Sequence, residues 1–253
     1  MAAIVQTLSS TAAEEEEWRL RCDMAAVFRV SARLGWNEQI GNHNSLMLPG
    51  EKPTFLINPR GHLFQELTAS SLIVCDLDGK VLRGKGELRK VAFYIHARIH
   101  LQKPSATCVV HVHPQYLTAL SMLADPEITL SHHNNLILND RLAIDNHGVA
   151  PADSHAEGDR LAVALGDKSI LLMGGHGVTV IGPTVHEAFD ECHQAERTAM
   201  YQVTAMSTGR PLRALPDSER RHWHGPWGDK VDSRMHLDAW RRILDRDEPD
   251  YAQ

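Results

Sequence analysis

The chain has 253 residues, 43% of them hydrophobic and 23% charged, with a formal net charge of -6 and a pI near 6.2. An acidic chain with scattered Lys and Arg carries no electrostatic footprint for nucleic acid, and no apolar run reaches the roughly 18 residues that span a bilayer. The first 17 residues lack the basic start and apolar core of a secretory signal, so the sequence reads as an ordinary globular, cytoplasmic protein.

Thr11 and Glu14 have the spacing of a capping box, which predicts a helix over 12–34 ending before Gly35. From 44 to 83 short apolar runs broken by Pro and Gly predict β-strands, with DLDGKVL as a hairpin turn. Val91, Tyr94, Ile95 and Ile99 recur at helical spacing, predicting an amphipathic helix over 88–102 and then a buried strand over 106–113. A helix at 114–123 follows, then a strand or loop through ITLSHHNNLI, a helix at 155–165 and a strand at 169–173 that GGHGVTVIG continues. Thr184 and Glu187 form a second capping box for a long helix that ends at Gly209 and turns Val185, Phe189, Cys192, Ala199, Val203 and Met206 inward.

The alternation of helices and strands argues for an α/β protein with a mixed sheet covered by helices, although the strand order is not legible. Residues 1–210 read as one body. Residues 211–253, with Trp223, Trp227 and Trp240 among Arg and His, read as a helical tail that docks on the body or on a neighbouring subunit. The four cysteines, Cys22, Cys75, Cys108 and Cys192, are far apart in apolar surroundings and read as buried free thiols.

Sixteen histidines are the unusual feature, because imidazole is the commonest metal ligand. In VVHVHPQ, residues i and i+2 of a strand face one side, so His111 and His113 present two rings to one cleft. Catalytic zinc takes three protein ligands, and His176 in LLMGGHGVTVIG, between glycines that allow close backbone approach, is the best third candidate. Taken singly, each of these histidines is better explained as a satisfied core or surface side chain, and HxH alone is weak evidence.

The segments GNHNSL, FLINPRGHLFQELTASSLIVCDLDGKVL, VVHVHPQYLTALSML and LLMGGHGVTVIGPTVHEAF resemble the class II aldolase and adducin family in order and spacing over about 20–205. The resemblance implies a mainly antiparallel central sheet with helices on both faces, and a homotetramer with sites at subunit interfaces. It maps the family's metal ligands onto His111, His113 and His176, holding one divalent ion per subunit, zinc first and Mn or Fe as alternatives. Adducins share the fold but are cytoskeletal proteins without this triad, so its retention favours an enzyme.

Two departures from the aldolase pattern matter. Ala92 stands where the aldolases have their general acid/base glutamate, and Glu87 either substitutes for it or caps the helix. The phosphate loops are replaced by Asn58-Pro59-Arg60-Gly61 and GKGELRK, so Asn58, Arg60 and Gly61 become substrate-binding candidates, Arg60 suiting a carboxylate as well as a phosphate. Arg60 is equally explained as a surface ion-pair partner. His132 lies near the family's active-site tyrosine, and with His133 it is a candidate for the missing proton transfer. His43 aligns with a polar active-site position and is a further substrate-binding candidate. His96 and His100, one helical turn apart, read as structural, and the remaining histidines as surface or packing residues.

The expected activity is a metal-dependent carbon-carbon lyase, a decarboxylase or retro-aldolase acting on a small hydroxy, keto or hydroxy-aromatic acid. The alternatives are a mononuclear iron oxygenase, since three imidazoles also suit Fe(II), and an adducin-like interaction module.

Overall fold

The sequence forms eight strands that pair in one sheet, seen in a computed structural model that describes residues 10–147, 152–222 and 233–253. A first helix, α1 (Ser10–Arg33), precedes four strands: β1 (His43–Leu48), β2 (Thr54–Ile57), β3 (Ile73–Asp76) and β4 (Val81–Arg83). Then come α2 (Lys90–Gln102), β5 (Cys108–Val112), α3 (Gln115–Ser121), β6 (Leu142–Asp145) and α4 (His155–Leu165). β7 (Ile170–Met173), β8 (Gly177–Gly182), α5 (Val185–Met206), α6 (Asp217–His222) and α7 (Ser233–Asp247) complete the order.

The strands lie in the order β4-β3-β2-β1-β5-β8-β7-β6, every neighbouring pair antiparallel except β6 with β7. Strand periodicity divides the core. On β5, Cys108, Val110 and Val112 join Phe28 of α1 and Phe189 of α5 in one apolar layer, while Val109 turns to the opposite layer with Ile95 and Ile99 of α2 and Leu161 of α4. The sheet is thus covered on both faces, by α2 and α4 on one side and by α1, α3, α5 and α7 on the other.

Three local expectations change. α1 already begins at Ser10, so Thr11 lies inside its first turn rather than at its cap. The stretch GGHGVTVIG does not simply prolong β7: His176 N–H donates to the Met173 carbonyl at 3.0 Å, Gly175 takes φ +60°, and β8 returns antiparallel with Met173 opposite Gly177. β6 emerges where the sequence offered a strand or loop only further upstream; ITLSHHNNLI itself ends in a 3-10 turn over His133–Leu138. The second capping box is present, with Thr184 Oγ1 accepting from the Glu187 N–H at 3.3 Å.

The C-terminal segment docks on its own chain. Leu237, Leu244 and Tyr251 are buried in the layer beneath α1 and α5. Around them Asp23 receives Arg234 at 2.6 Å and Arg241 at 2.5 Å, Arg29 binds Asp250 at 2.6 Å, and His236 binds Asp190 at 2.6 Å. Trp240 packs against the same core, whereas Trp223 and Trp227 lie outside the described residues. All four cysteines are buried free thiols.

Candidate metal centre

The register of the three central strands assembles the site. His43 on β1 pairs with His111 on β5, and His111 pairs with Thr179 on β8, so all three side chains share one face of the sheet. His113 follows β5 on the same face, and His176 hangs from the turn between β7 and β8. Gly177 gives that turn its closeness: a Cβ there would meet the His113 ring and the Val112 carbonyl oxygen.

His111, His113 and His176 offer ring nitrogens that all lie within 4.8 Å of one another. Among the described residues His113 Nε2 is buried without a hydrogen-bond partner, an orphan that a bound cation would satisfy. His111 Nδ1 meets Thr179 Oγ1 at 3.1 Å, and the Thr179 hydroxyl donates onward to Met173 Sδ at 3.4 Å. Sulfur here has no proton to give, so the threonine oxygen receives from His111 Nδ1–H and leaves Nε2 with its lone pair.

Burial also keeps these rings neutral. Desolvation first, then the neighbouring rings of His43, His176 and His113, holds His111 well below the usual imidazole value. Desolvation, His176 and Arg89 push His113 down to about 4, and desolvation lowers His176. Three neutral, converging imidazoles with an orphaned buried nitrogen fit a divalent transition-metal ion, zinc among them.

These rings sit in a cleft of about 760 Å³ whose rim carries Arg60, Arg89 and Lys90 against Glu38 and Glu87. His43 lines the same cleft, its ring stacked on His111 with centroids 4.8 Å apart. Arg60 is largely exposed and 3.9 Å from Glu87. Asn58 is buried behind the cleft, accepting from the Asn44 N–H and donating to the Asn42 carbonyl, both at 3.2 Å. Gly61 takes φ +88° in an exposed turn. His132 and His133 are exposed, and His132 lines a separate hollow with His193, Arg197 and Tyr201. The single chain therefore brings His43, Arg60 and the three clustered rings together but leaves His132 apart.

Arg89 is a cleft residue that the sequence did not single out; its guanidinium donates to the carbonyls of Ile40 and Gly41, both at 3.2 Å, at the start of α2. Its only sequence signal was a cation in GELRK. Ala92 is buried in an apolar cluster with Phe55, Ile57 and Ile73.

Comparison with known proteins agrees with this architecture. The profile of the Class II Aldolase and Adducin N-terminal domain matches residues 22–203. A Caulobacter vibrioides protein named for the class 2 aldolases is 33% identical over 243 residues, covering 94% of this chain and 93% of its own. Alpha-adducin of Mus musculus is 33% identical over 207 residues, covering 80% of this chain and 28% of its own. An aldolase II superfamily protein from Pseudomonas syringae superposes with a TM-score of 0.87 at 28% identity over 100% of both chains.

Proposed function

Because the chain belongs to the class II aldolase and adducin family, we propose that it is a divalent-metal-dependent carbon-carbon lyase, a decarboxylase or retro-aldolase for a small hydroxy- or keto-carboxylic acid. One observation carries the reading: three neutral imidazoles converge in a cleft whose rim sets Arg60, Arg89 and Lys90 against Glu38 and Glu87, and one of their nitrogens, His113 Nε2, is buried without a partner among the described residues. A divalent ion held by His111, His113 and His176 supplies a Lewis acid for the charge that builds on substrate oxygen as a carbon-carbon bond breaks.

The chain's own residues supply the rest. Arg60, Arg89 and Lys90 at the rim hold the substrate carboxylate. Thr179 holds the His111 ring in one orientation. Loss of carbon dioxide needs no base to take a hydroxyl proton, which suits a chain with Ala92 in place of glutamate. A proton donor from His132 or His133 then comes from a neighbouring copy in a homotetramer, because within one chain His132 faces a different hollow.

The test is metal analysis together with a screen of hydroxy- and keto-acids for released carbon dioxide or aldehyde. Zinc at one equivalent per chain is expected, with metal and turnover both lost in His111→Ala and His176→Ala. Turnover that survives both replacements refutes the metal role. The similarity to alpha-adducin favours one other reading, a non-catalytic interaction module, which predicts no retained metal and no stabilisation by divalent ions.

A further inference from the structure

The face of the sheet under α2 holds a continuous buried row of polar side chains. His43 and Ser45 alternate on β1, and His96 and His100 stand one turn apart on the α2 face that covers them. His43 Nδ1 lies 2.8 Å from His96 Nε2; His96 Nδ1 is hydrogen-bonded to Ser45 Oγ; Ser45 Oγ lies 2.7 Å from His100 Nε2; and His100 Nδ1 lies 2.6 Å from the Ala106 carbonyl oxygen. Each of the four side chains is buried.

The far end of the row fixes every proton in it. A carbonyl oxygen only accepts, so His100 Nδ1 carries hydrogen, and in a neutral ring Nε2 is then a lone pair. Ser45 spends its single hydroxyl proton on that lone pair and accepts from His96 Nδ1–H. His96 Nε2 is therefore also a lone pair and receives His43 Nδ1–H. The hydrogen-bond geometry sets this direction, and desolvation at the far end agrees with it, lowering His100 to about 4 and His96 well below the usual imidazole range. The result is a His43 whose remaining nitrogen, Nε2, bears no hydrogen, on a ring that lines the cleft beside His111.

We propose that His96, Ser45 and His100 are positioning residues that lock His43 as a hydrogen-bond acceptor for a substrate hydroxyl, in the cleft where the family's aldolases rely on a glutamate. The inference rests on that cleft being the substrate site, and it deepens the proposed function by selecting acids with a free hydroxyl over their ethers. The row has one direction because it ends on a carbonyl, so altering Ser45 acts on His43 although the two do not touch through a reacting atom. Without the hydroxyl, His96 is free to place its proton on Nε2, and His43 Nε2 becomes a donor.

Neutron diffraction from crystals of the zinc-treated protein after deuterium exchange tests the lock directly. Deuterium is expected on Nδ1 of His43, His96 and His100, on Ser45 Oγ toward His100, and not on His43 Nε2. Deuterium on His43 Nε2 overturns the proposal. Calorimetric binding of glycolate and methoxyacetate, which share a carboxylate and differ in the hydroxyl proton, tests its consequence. The wild-type protein is expected to favour glycolate about tenfold, roughly the 1.4 kcal/mol of one hydrogen bond. Ser45→Ala should erase that preference with zinc content unchanged, and Ser45→Thr should retain it. No preference in the wild type, or the same preference in Ser45→Ala, overturns the proposal. The deuterium map needs no variant to fold, and a protein that takes up no zinc refutes the metal reading while leaving the map decisive for the row.

Discussion

Thr179 shows how much of the centre depends on a single hydroxyl. It receives His111 Nδ1–H and donates to Met173 Sδ, so Thr179→Val, which keeps the shape, leaves a buried imidazole N–H without an acceptor and frees the ring to turn. Zinc affinity, measured by competition with a chelator, is expected to fall roughly 10- to 100-fold with little change in fold. An unchanged affinity would contradict the orienting role. The clustering of the three rings was legible in part: His111 and His113 follow the strand's two-residue repeat, while His176, glycine-flanked after an apolar strand, was only suggested by its place and was joined to them by the family resemblance. Thr179 and Gly177 were not, because their roles arise from the pairing of β5 with β8, which no local pattern encodes. His96 and His100 were correctly placed on one helix face; what the sequence hid was that β1 presents His43 and Ser45 to that same face.

Among the elements, the β7–β8 hairpin is the most exacting. Its turn delivers His176, and Gly177 passes so close to β5 that an added methyl meets the Val112 oxygen and the His113 ring. Gly177→Ala is expected to cost about 2 kcal/mol or more in denaturant unfolding and to lower zinc content, because the strands must part at the centre. Full stability with full zinc would show that the approach is not required. This hairpin was missed in the sequence because an apolar strand followed by GGHG has no fixed turn spacing until Gly175 adopts φ +60°. β6 was missed for another reason: Leu142, Ala143 and Ile144 are only partly covered at the sheet edge, so neither a buried run nor a clean alternation marks them. α1, α2, α4 and α5 were legible to within a few residues because long amphipathic periods and the Thr184 cap are local signals.

For the whole molecule, buried neutral imidazoles make acid the weak side. Burial lowers His43 to about 3 and His100, His113 and His193 to about 4, all below an unfolded value near 6.5. Between those values the unfolded chain binds more protons, so their contribution is complete above pH 6.5 and is lost as pH falls toward 4. Glu196 has the opposite sign. Its carboxyl, buried beneath the N–H groups of Tyr116 and Leu117, is pushed up to about 7, so its contribution is present below about 4.5 and lost as pH rises through 7. Four groups outweigh one. Urea midpoints of the metal-free protein are expected to fall steadily from pH 6.5 to 4.5, and a flat profile would contradict the burial of these rings. The C-terminal segment is a second global determinant: Leu244→Ala should cost about 2–5 kcal/mol, and truncation after residue 210 should leave an aggregation-prone protein by opening the layer that Leu237, Leu244 and Tyr251 fill. A truncated chain that stays monodisperse with an unchanged melting temperature would show that residues 211–253 are a separable appendage.

The Arg29–Asp250 contact joins residues 221 positions apart, and α7 closes over the same helix that Arg29 belongs to. On a ribosome moving at about 5–20 residues per second, α1 waits roughly 10–40 seconds before the segment that covers it is made. Throughout that interval the side of α1 that packs against α7 lacks that cover. Between the two events the chain carries an uncovered apolar face, a binding surface for holding chaperones that vanishes when α7 docks.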